Sequence, residues 1–195
     1  MTEMQAEAIM KTFYKHEVEK YGKKFEVTKS LAENLKKVAS FLVDSSRTKW
    51  GIFITGKIGN GKTTLVNAIT NMVNFLISED YLERKTDYSN CFKVVPAKEV
   101  VRLFVEERNE YYAIRDRENL LIDDIGEDAF EVVIYGVPYH PIRDLLMSRY
   151  ANRRFTVLTS NLTSGEFKDK YHDERLSDRL REMFLGISFN DKSFR

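Results

Sequence analysis

The sequence lacks the features of an exported or membrane-spanning protein. It has a single cysteine, Cys91, which excludes an internal disulfide and favours a reducing compartment. It has no apolar run near the roughly 18 residues that a membrane helix needs. Its first residues are acidic and do not show the basic and then apolar layout of a signal peptide. We therefore predict a cytoplasmic protein without a membrane partner.

Proline and glycine are also scarce, and charge of one sign hardly exceeds charge of the other. Three prolines and nine glycines, with 43% hydrophobic residues, are typical of a globular chain. The 31 basic and 30 acidic side chains nearly cancel, so any contact with nucleic acid must come from a local patch. At 195 residues the chain is long enough for one domain with its own core.

What the sequence does contain is a glycine-rich motif between a strand and a helix. Residues 56–63 read G-x-x-x-x-G-K-T, after an apolar run over 50–55 and before a helical pattern over 64–69. In this motif backbone N–H groups surround the phosphates of a nucleotide, the lysine reaches the β- and γ-phosphates, and the threonine hydroxyl binds Mg²⁺. We predict an ATP and Mg²⁺ site. Its nucleotide contacts are Gly56, Lys57, Ile58, Gly59, Asn60, Gly61, Lys62, Thr63 and Thr64.

Two further strand-like runs end in polar residues. The apolar residues 120–122 precede Asp123 and Asp124, and the β-branched run over 154–160 precedes Asn161. The carboxyl ends of parallel strands form the ligand-binding edge of an open α/β sheet. There one carboxylate could orient Mg²⁺ and the other could polarise the attacking water, while the amide could hold a water or a phosphate oxygen. The alternatives are surface acids at a strand end and an asparagine that only forms a turn.

A charged helical segment near the end of the chain allows two interpretations. Arg175 and Arg179 are four residues apart and fall on one helical face, with Asp178 and Glu182 between and beside them. They could form a salt-bridged, exposed helix. They could also present an arginine to the nucleotide of a neighbouring subunit, where it would neutralise charge on the γ-phosphoryl group. The spacing alone does not decide between these interpretations.

Other segments indicate local structure only. Residues 1 to about 25 show a weak helical pattern, and Ser30 to Glu33 resemble a capping box before a helix that ends near Asp44. The polar stretch 79–90 is predicted to be a loop. Residues 134–141 are predicted to be a loop elaboration to which we assign no function.

Together these motifs resemble the DnaC/IstB group of AAA+ ATPases, which are helicase loaders and transposition helper ATPases. The resemblance holds in order as well as in content and covers roughly residues 28–195. It runs from GKIGNGKTTL through NLLIDDIGED, RDLLMSRYANRRFTVLTSNL and ERLSDRLREMF to GISFNDKSFR. It implies an α/β fold, the AAA+/ASCE P-loop NTPase three-layer sandwich with a central parallel sheet. We expect an ATPase domain over 28–195, a helical arm for partner docking over 1–27, and no C-terminal lid domain.

The resemblance also implies roles for single residues. Lys62 and Thr63 would be the Walker A contacts, with Thr63 and Asp123 holding Mg²⁺. Asp124 would be the water-activating acid and Asn161 the sensor that monitors the γ-phosphate. Arg179 would be the finger that acts across a subunit interface, with Arg175 as the alternative. The catalytic set is therefore Lys62, Asp124, Asn161 and Arg179.

The function implied is that of an ATP-binding and ATP-hydrolysing DNA replication protein of the helicase-loader type. It would form a homo-oligomer on single-stranded DNA through shared ATP sites, with a replicative helicase as partner. A cluster of arginines and aromatic rings agrees loosely with DNA binding, although a core position is favoured for Phe155 and is also open to Tyr150. The cluster consists of Arg143, Arg149, Arg153, Arg154, Tyr150 and Phe155.

Three other functions remain open at this stage. A transposition helper ATPase, with a transposase as partner, would have much the same core. A nucleotide-gated adaptor with little turnover is compatible with Asp124, whose side chain is one methylene shorter than the glutamate that many AAA+ proteins have there. A P-loop small-molecule kinase is disfavoured by the paired acids Asp123 and Asp124 and by the missing lid.

Overall fold

The computed structural model describes residues 1–57, 59–78, 91–171 and 173–189. The predictions for Ile58, for a loop over 79–90 and for the terminal residues 190–195 lie outside these ranges. Within them the helices are α1 (Glu3–Glu19), α2 (Lys29–Val43), α3 (Lys62–Ser78), α4 (Ala97–Glu106), α5 (Arg108–Arg115), α6 (Pro141–Ala151), α7 (Ser164–Tyr171) and α8 (Glu174–Met183). The strands are β1 (Gly51–Gly56), β2 (Lys93–Pro96), β3 (Asn119–Asp123), β4 (Val132–Ile134), β5 (Val137–Tyr139), β6 (Phe155–Ser160) and β7 (Phe184–Phe189).

Five strands form one parallel sheet in the order β2-β3-β6-β1-β7. Strand β1 lies between β6 and β7, and its Ile54 is paired with Thr159 on one side and Ile187 on the other. Because all five strands run the same way, their carboxyl ends meet at one edge. The residues that follow β1, β3 and β6 are therefore brought together.

Helices cover both faces of this sheet. Ile52, Ile54 and Val157 face a core shared with α1, α2 and α3. Leu120 and Leu158 face a second core, to which α4 to α8 contribute. A parallel sheet buried on both faces explains why its strands are almost continuously apolar in the sequence. The predicted α/β three-layer sandwich with a central parallel sheet is confirmed.

Helix α1 is packed into the first core. It begins with a capping box formed by Thr2 and Gln5, and Ala6, Met10 and Tyr14 on its inner face are no more than 3% exposed. These buried residues follow one another at intervals of four, so they form a stripe against α2 and α3. The division of the chain at residue 27 stays a prediction, but a docking partner could use only the outer face of α1.

The start of α2 differs from the prediction. The helix begins at Lys29, and its N-cap is Thr28, whose hydroxyl accepts a hydrogen bond from the Leu31 N–H at 3.1 Å. The predicted capping box beginning at Ser30 is therefore wrong. The N-cap is Thr28, and Ser30 already lies within the first turn of the helix. The helix ends at Val43 with Asp44 as its C-cap, as predicted.

Residues 132–139 form a short antiparallel hairpin rather than an irregular loop. Tyr135 and Gly136 form its two-residue turn with φ of 52° and 78°, the positive values that tight hairpin turns need. The Tyr135 side chain is fully exposed at the tip. In the part of the chain that the structure describes, no helix is both long and apolar enough to cross a membrane.

Candidate nucleotide-binding site

The glycine-rich loop joins the end of β1 to the first residue of α3. Gly56, Gly59 and Gly61 have φ of 154°, 87° and 98°, a region that favours glycine. A Cβ on Gly56 would lie 2.5 Å from the carbonyl oxygen of Phe189, and one on Gly61 would lie 2.9 Å from the Tyr14 hydroxyl. The loop therefore has both the backbone angles and the lack of side-chain bulk that phosphate binding requires.

Lys62 is only 6% exposed, and its ammonium group turns back over the loop. The Nζ atom donates hydrogen bonds to the carbonyl oxygens of Gly56 and Lys57, the second at 2.9 Å. Burial lowers the pKa of Lys62, and the negative charges of Asp124 and Asp123 partly offset that effect. The buried ammonium group thus lies in the field of both acids.

Asn60 has a structural role in the loop. It is 2% exposed, and its Nδ2 donates a 2.6 Å hydrogen bond to the carbonyl oxygen of Phe189 at the end of β7. This bond fixes the middle of the loop against the edge strand of the sheet. The side chain of Asn60 therefore holds the loop in place.

The paired acids lie where β3 ends, as the sequence predicted. The Thr159 hydroxyl on the neighbouring strand β6 donates to Oδ1 of Asp123 and accepts from the N–H of Asp124 at 2.8 Å. Asp124 has a φ of 55°, a left-handed conformation that aspartate tolerates better than most residues. Thr159 therefore orients both acids at once.

Asn161 lies one residue beyond β6 and faces the same acids. Its Nδ2 donates to Oδ1 of Asp124 at 3.3 Å and to Oε1 of Glu127 at 3.2 Å. Glu127 was not among the predicted site residues. In the sequence it is one more acid in the run Ile125-Gly126-Glu127-Asp128, and only the folded turn shows that it faces the site.

The negative charge of these three acids is partly offset by two lysines. Burial raises the pKa of Asp124, the charges of Asp123 and Glu127 add to that effect, and Lys62 and Lys98 oppose it. Glu127 forms an ion pair with Lys98 on α4 at 3.0 Å. The hydrogen bond from Lys98 holds the pKa of Glu127 below its usual value, with a smaller contribution from the amide of Asn161.

A cavity of about 590 Å³ lies over the loop and the acids. Its floor includes Lys62, Thr63, Thr64, Asp124 and Asn161. A second wall comes from the end of α1, the segment that leads to α2 and the first turn of α2. That wall is lined by Tyr14, Glu17, Val18, Tyr21, Lys23, Lys24, Phe25, Glu26 and Leu31.

The wall is held to the loop helix by polar contacts. The Glu17 carboxylate is 3% exposed and accepts hydrogen bonds from the side chains of Asn71 at 2.9 Å and Asn67 at 3.4 Å, both on α3. Sequence reasoning missed this wall, because the helical pattern of residues 1 to 25 contains no motif that points to a ligand.

The two candidate arginines lie on α8, away from this cavity's lining. The Nη1 atom of Arg179 donates a 2.7 Å hydrogen bond to the Tyr150 hydroxyl, and its guanidinium lies 4.7 Å from the centre of that ring. Glu182 is 3.5 Å away. Arg175 is exposed one turn earlier on the same helix. The face of α8 that carries the arginines is thus exposed and partly salt-bridged, and neither arginine lines the cavity of its own chain.

The structure corrects one part of the predicted DNA-binding cluster. Arg149 is fully buried, and all five of its N–H groups are used inside the protein. It donates to the Thr156 hydroxyl and to four backbone carbonyl oxygens. Three of these lie between the end of α5 and the start of β3, and the fourth lies at the start of β6. These are the carbonyl oxygens of Arg115, Arg117, Glu118 and Phe155. Arg149 therefore cannot contact DNA, because its guanidinium is buried and bonded to acceptors inside the protein.

Other members of the cluster have different surroundings. Arg143 is paired with Asp173, and Phe155 stacks on Phe41 with ring centres 6.4 Å apart. Arg153 and Tyr150 both contact the ring of Trp50, at 5.3 and 5.5 Å. The cluster offers less support for DNA binding than its spacing in the sequence indicated.

The fold can be compared with those of known proteins. The sequence matches no protein-family model and no curated protein sequence. Solved structures do match. One is a protein from Streptococcus pyogenes proposed to be a primosome component, with TM-score 0.63 and 18% identity over 86% of this chain and 84% of that one. Another is the DnaC helicase loader, with TM-score 0.60 and 16% identity over 85% of this chain and 93% of that one.

A third match is the replication initiator DnaA bound to AMPPCP and single-stranded DNA. It has TM-score 0.52 and 17% identity, and it covers 87% of this chain but 50% of the DnaA chain. At these identities the likeness shows the fold, and that fold is the one that the sequence motifs predicted. The chain therefore has the fold of the DnaC-type AAA+ ATPases.

Proposed function

We propose that this protein binds and hydrolyses ATP and acts in DNA replication in the manner of a helicase loader. One observation carries the proposal. Lys62, Asp124 and Asn161 follow three different strands in the sequence and line a single cavity at the carboxyl edge of the sheet. A lysine on a glycine-rich loop, an acid and an amide are the groups that phosphoryl transfer to water needs in one place.

The cavity suits a nucleoside triphosphate in size and chemistry. Its volume of about 590 Å³ lies within the usual range of small-molecule sites, roughly 300–1,000 Å³. Side chains at Gly56 and Gly61 would collide with neighbouring atoms, so this loop conformation depends on glycine at both positions. The N–H groups at the start of α3 and the Lys62 ammonium supply positive charge, and Tyr14 and Phe25 are among the residues that line the cavity.

The residues at the floor would divide the chemistry among them. Thr63 and Asp123 would hold Mg²⁺, which when bound neutralises charge on the phosphates. Lys62 would exchange its bonds to the loop carbonyls for bonds to phosphate oxygens. Asp124 would orient and polarise the attacking water, and Asn161 would hold the γ-phosphate. Thr159 keeps both acids in position for these tasks.

The site would be shared between subunits. Because Arg179 and Arg175 do not line the cavity of their own chain, either could reach only the nucleotide of a neighbour. We propose Arg179 as that finger. In the isolated chain it rests on Tyr150 and Glu182, and the side chain is 44% exposed, so it is accessible to a second copy.

The DNA and protein partners rest on the comparison alone. One structure of this fold is a helicase loader, and another is bound to AMPPCP and single-stranded DNA. We propose single-stranded DNA as the surface on which the subunits assemble, with a replicative helicase as partner. A transposition helper would have the same site, and a transposase would then take the place of the helicase.

The test begins with nucleotide binding and turnover. Lys62→Ala should weaken ATP binding about tenfold or more, because it removes a charged contact to the phosphates. The matched control is Lys37→Ala, which removes an exposed lysine on α2 outside the cavity. Asp124→Asn should bind ATP and lose turnover. Tight ATP binding by Lys62→Ala would refute the assignment of the loop.

The shared site is tested by mixing subunits. Specific ATPase activity should rise with protein concentration and with single-stranded DNA. Arg179→Ala should lower kcat by about 10³ without weakening ATP binding, and small amounts of it should poison wild-type assemblies. Arg181→Ala, on the same helix with a side chain that is 75% exposed, is the control. A loss of activity in simple proportion to the Arg179→Ala content would contradict the trans role. A flat rate that DNA does not change would favour a nucleotide-gated adaptor.

A further inference from the structure

Glu127 lies in the candidate site without a role in the reaction described above. It follows the turn after β3, lines the cavity, and has a side chain that is 44% exposed. Its side chain forms an ion pair with Lys98 at 3.0 Å and accepts a hydrogen bond from Asn161 at 3.2 Å. An exposed ion pair alone contributes little to stability, so the contact with Asn161 is the one that matters for the site.

The amide of Asn161 is held by two acids at once. Its Nδ2 has two N–H groups, and Asp124 and Glu127 each accept from that nitrogen. Carboxylates can only accept, so the orientation of the amide is fixed by chemistry: nitrogen towards the acids and oxygen away from them. If Glu127 were absent, one N–H would lose the acceptor it has here, and the Asp124 carboxylate would be left to orient the amide alone.

We propose that Glu127 is a positioning residue that anchors Asn161 for catalysis. It holds one N–H of the amide while the other N–H is exchanged between Asp124 and the γ-phosphate. When the phosphate takes that second N–H, Asp124 loses its amide partner and can accept a hydrogen bond from the attacking water. Lys98 keeps the Glu127 carboxylate turned towards Asn161.

The turn that presents Glu127 is itself held firmly. The Lys170 ammonium donates to the carbonyl oxygens of Gly126 and Asp128, at 2.7 and 2.6 Å. The Tyr171 hydroxyl, in the same helix, lies 2.9 and 3.0 Å from the two carboxylate oxygens of Asp128. The backbone on both sides of Glu127 is therefore fixed by α7, which is what an anchor requires.

This inference rests on the proposed ATPase function, and kinetic constants can test it separately. Glu127→Ala should lower kcat about tenfold and change KM for ATP less than about twofold, because a positioning contact acts on the reaction more than on binding. Glu127→Gln should recover most of the activity, since its amide oxygen still accepts the bond from Asn161. The melting temperature should stay at the wild-type value in both variants. Glu131→Ala, which removes another exposed acid beyond the cavity, is the control.

A double variant makes the test specific to Asn161. If Glu127 acts through that amide, Glu127→Ala should cause no further loss of kcat in an Asn161→Ala background. A further tenfold loss there, or a kcat within twofold of wild type for Glu127→Ala alone, would overturn the inference and leave the ATPase proposal intact. A wild-type protein that neither binds nor hydrolyses ATP would instead overturn the proposed function.

Discussion

Replacing Arg149 with methionine is expected to remove a large part of the stability of this protein. Arg149 is the largest fully buried side chain in the part of the chain that the structure describes. Methionine has a similar length and fits an apolar site, but it has no donor. The carbonyl oxygens of Arg117 and Phe155, now 2.7 and 2.6 Å from the guanidinium, would lose their partners, as would three further acceptors.

The magnitude follows from the number and kind of these bonds. A hydrogen bond to a charged group contributes about 1.5–3 kcal/mol, and a buried acceptor left without a partner costs about 1–3 kcal/mol. Part of this is offset, because the variant no longer has to bury a charge. We expect a net loss of about 3–5 kcal/mol, against the 5–15 kcal/mol that is typical of a whole domain. The free energy of unfolding of Arg149→Lys should lie between those of wild type and Arg149→Met, since an ammonium has three donors instead of five.

Urea unfolding followed by far-ultraviolet circular dichroism measures this directly. With a slope of about 2 kcal/mol per M, the midpoint should fall by roughly 1.5–2.5 M urea. Arg181→Met, at an exposed position, should stay within about 0.5 kcal/mol of wild type. If the free energy of unfolding of Arg149→Met lies within 1 kcal/mol of the wild-type value, with an unchanged slope, the idea that the hydrogen bonds of this arginine stabilise the core is wrong.

Two further substitutions test the geometry of the site. Gly126→Ala should cost about 1–3 kcal/mol of unfolding free energy, because Gly126 has a φ of 103° and an added Cβ would lie 2.5 Å from Leu162. Gly136→Ala, at a φ of 78° with nothing within 4 Å, isolates the backbone contribution; equal losses in melting temperature would show that the collision with Leu162 is relieved at no cost. Thr159→Val should lower kcat and also cost about 1–2 kcal/mol, since the N–H of Asp124 loses its acceptor. Thr159→Ser should restore both quantities, and a fully active valine variant would contradict the role of this hydroxyl.

The central sheet and the floor of the site were predictable because short motifs fix their own geometry. The residues before the glycine-rich loop form β1, and the acids Asp123 and Asp124 lie where β3 ends. Asn161 follows β6 and meets Asp124, as expected for two strands that are neighbours in the sheet. In each case a run of apolar residues followed by a polar one specifies a strand and its carboxyl end without reference to the rest of the chain.

What the sequence did not reveal depends on contacts between distant residues. Arg149 follows the buried Leu145 and Leu146 by four and three residues, but its acceptors come from distant segments, among them the end of α5 and the start of β6. Thr28 and Ser30 are both good helix caps, and only the path of the chain decides between them. Glu127 faces the site because the chain turns after Asp124. Neither helical nor strand periodicity in the sequence predicts the shape of that turn.

The position of helix α1 has a consequence for regulation. Its inner face is part of the core, and its last turns form a wall of the cavity through Tyr14, Glu17 and Val18. A ligand in the cavity and a protein bound to the outer face of α1 would therefore both contact the same helix. By thermodynamic linkage, whatever factor the nucleotide applies to the affinity for that protein, the protein must apply to the affinity for the nucleotide. Release of the partner and release of the nucleotide would then be thermodynamically coupled.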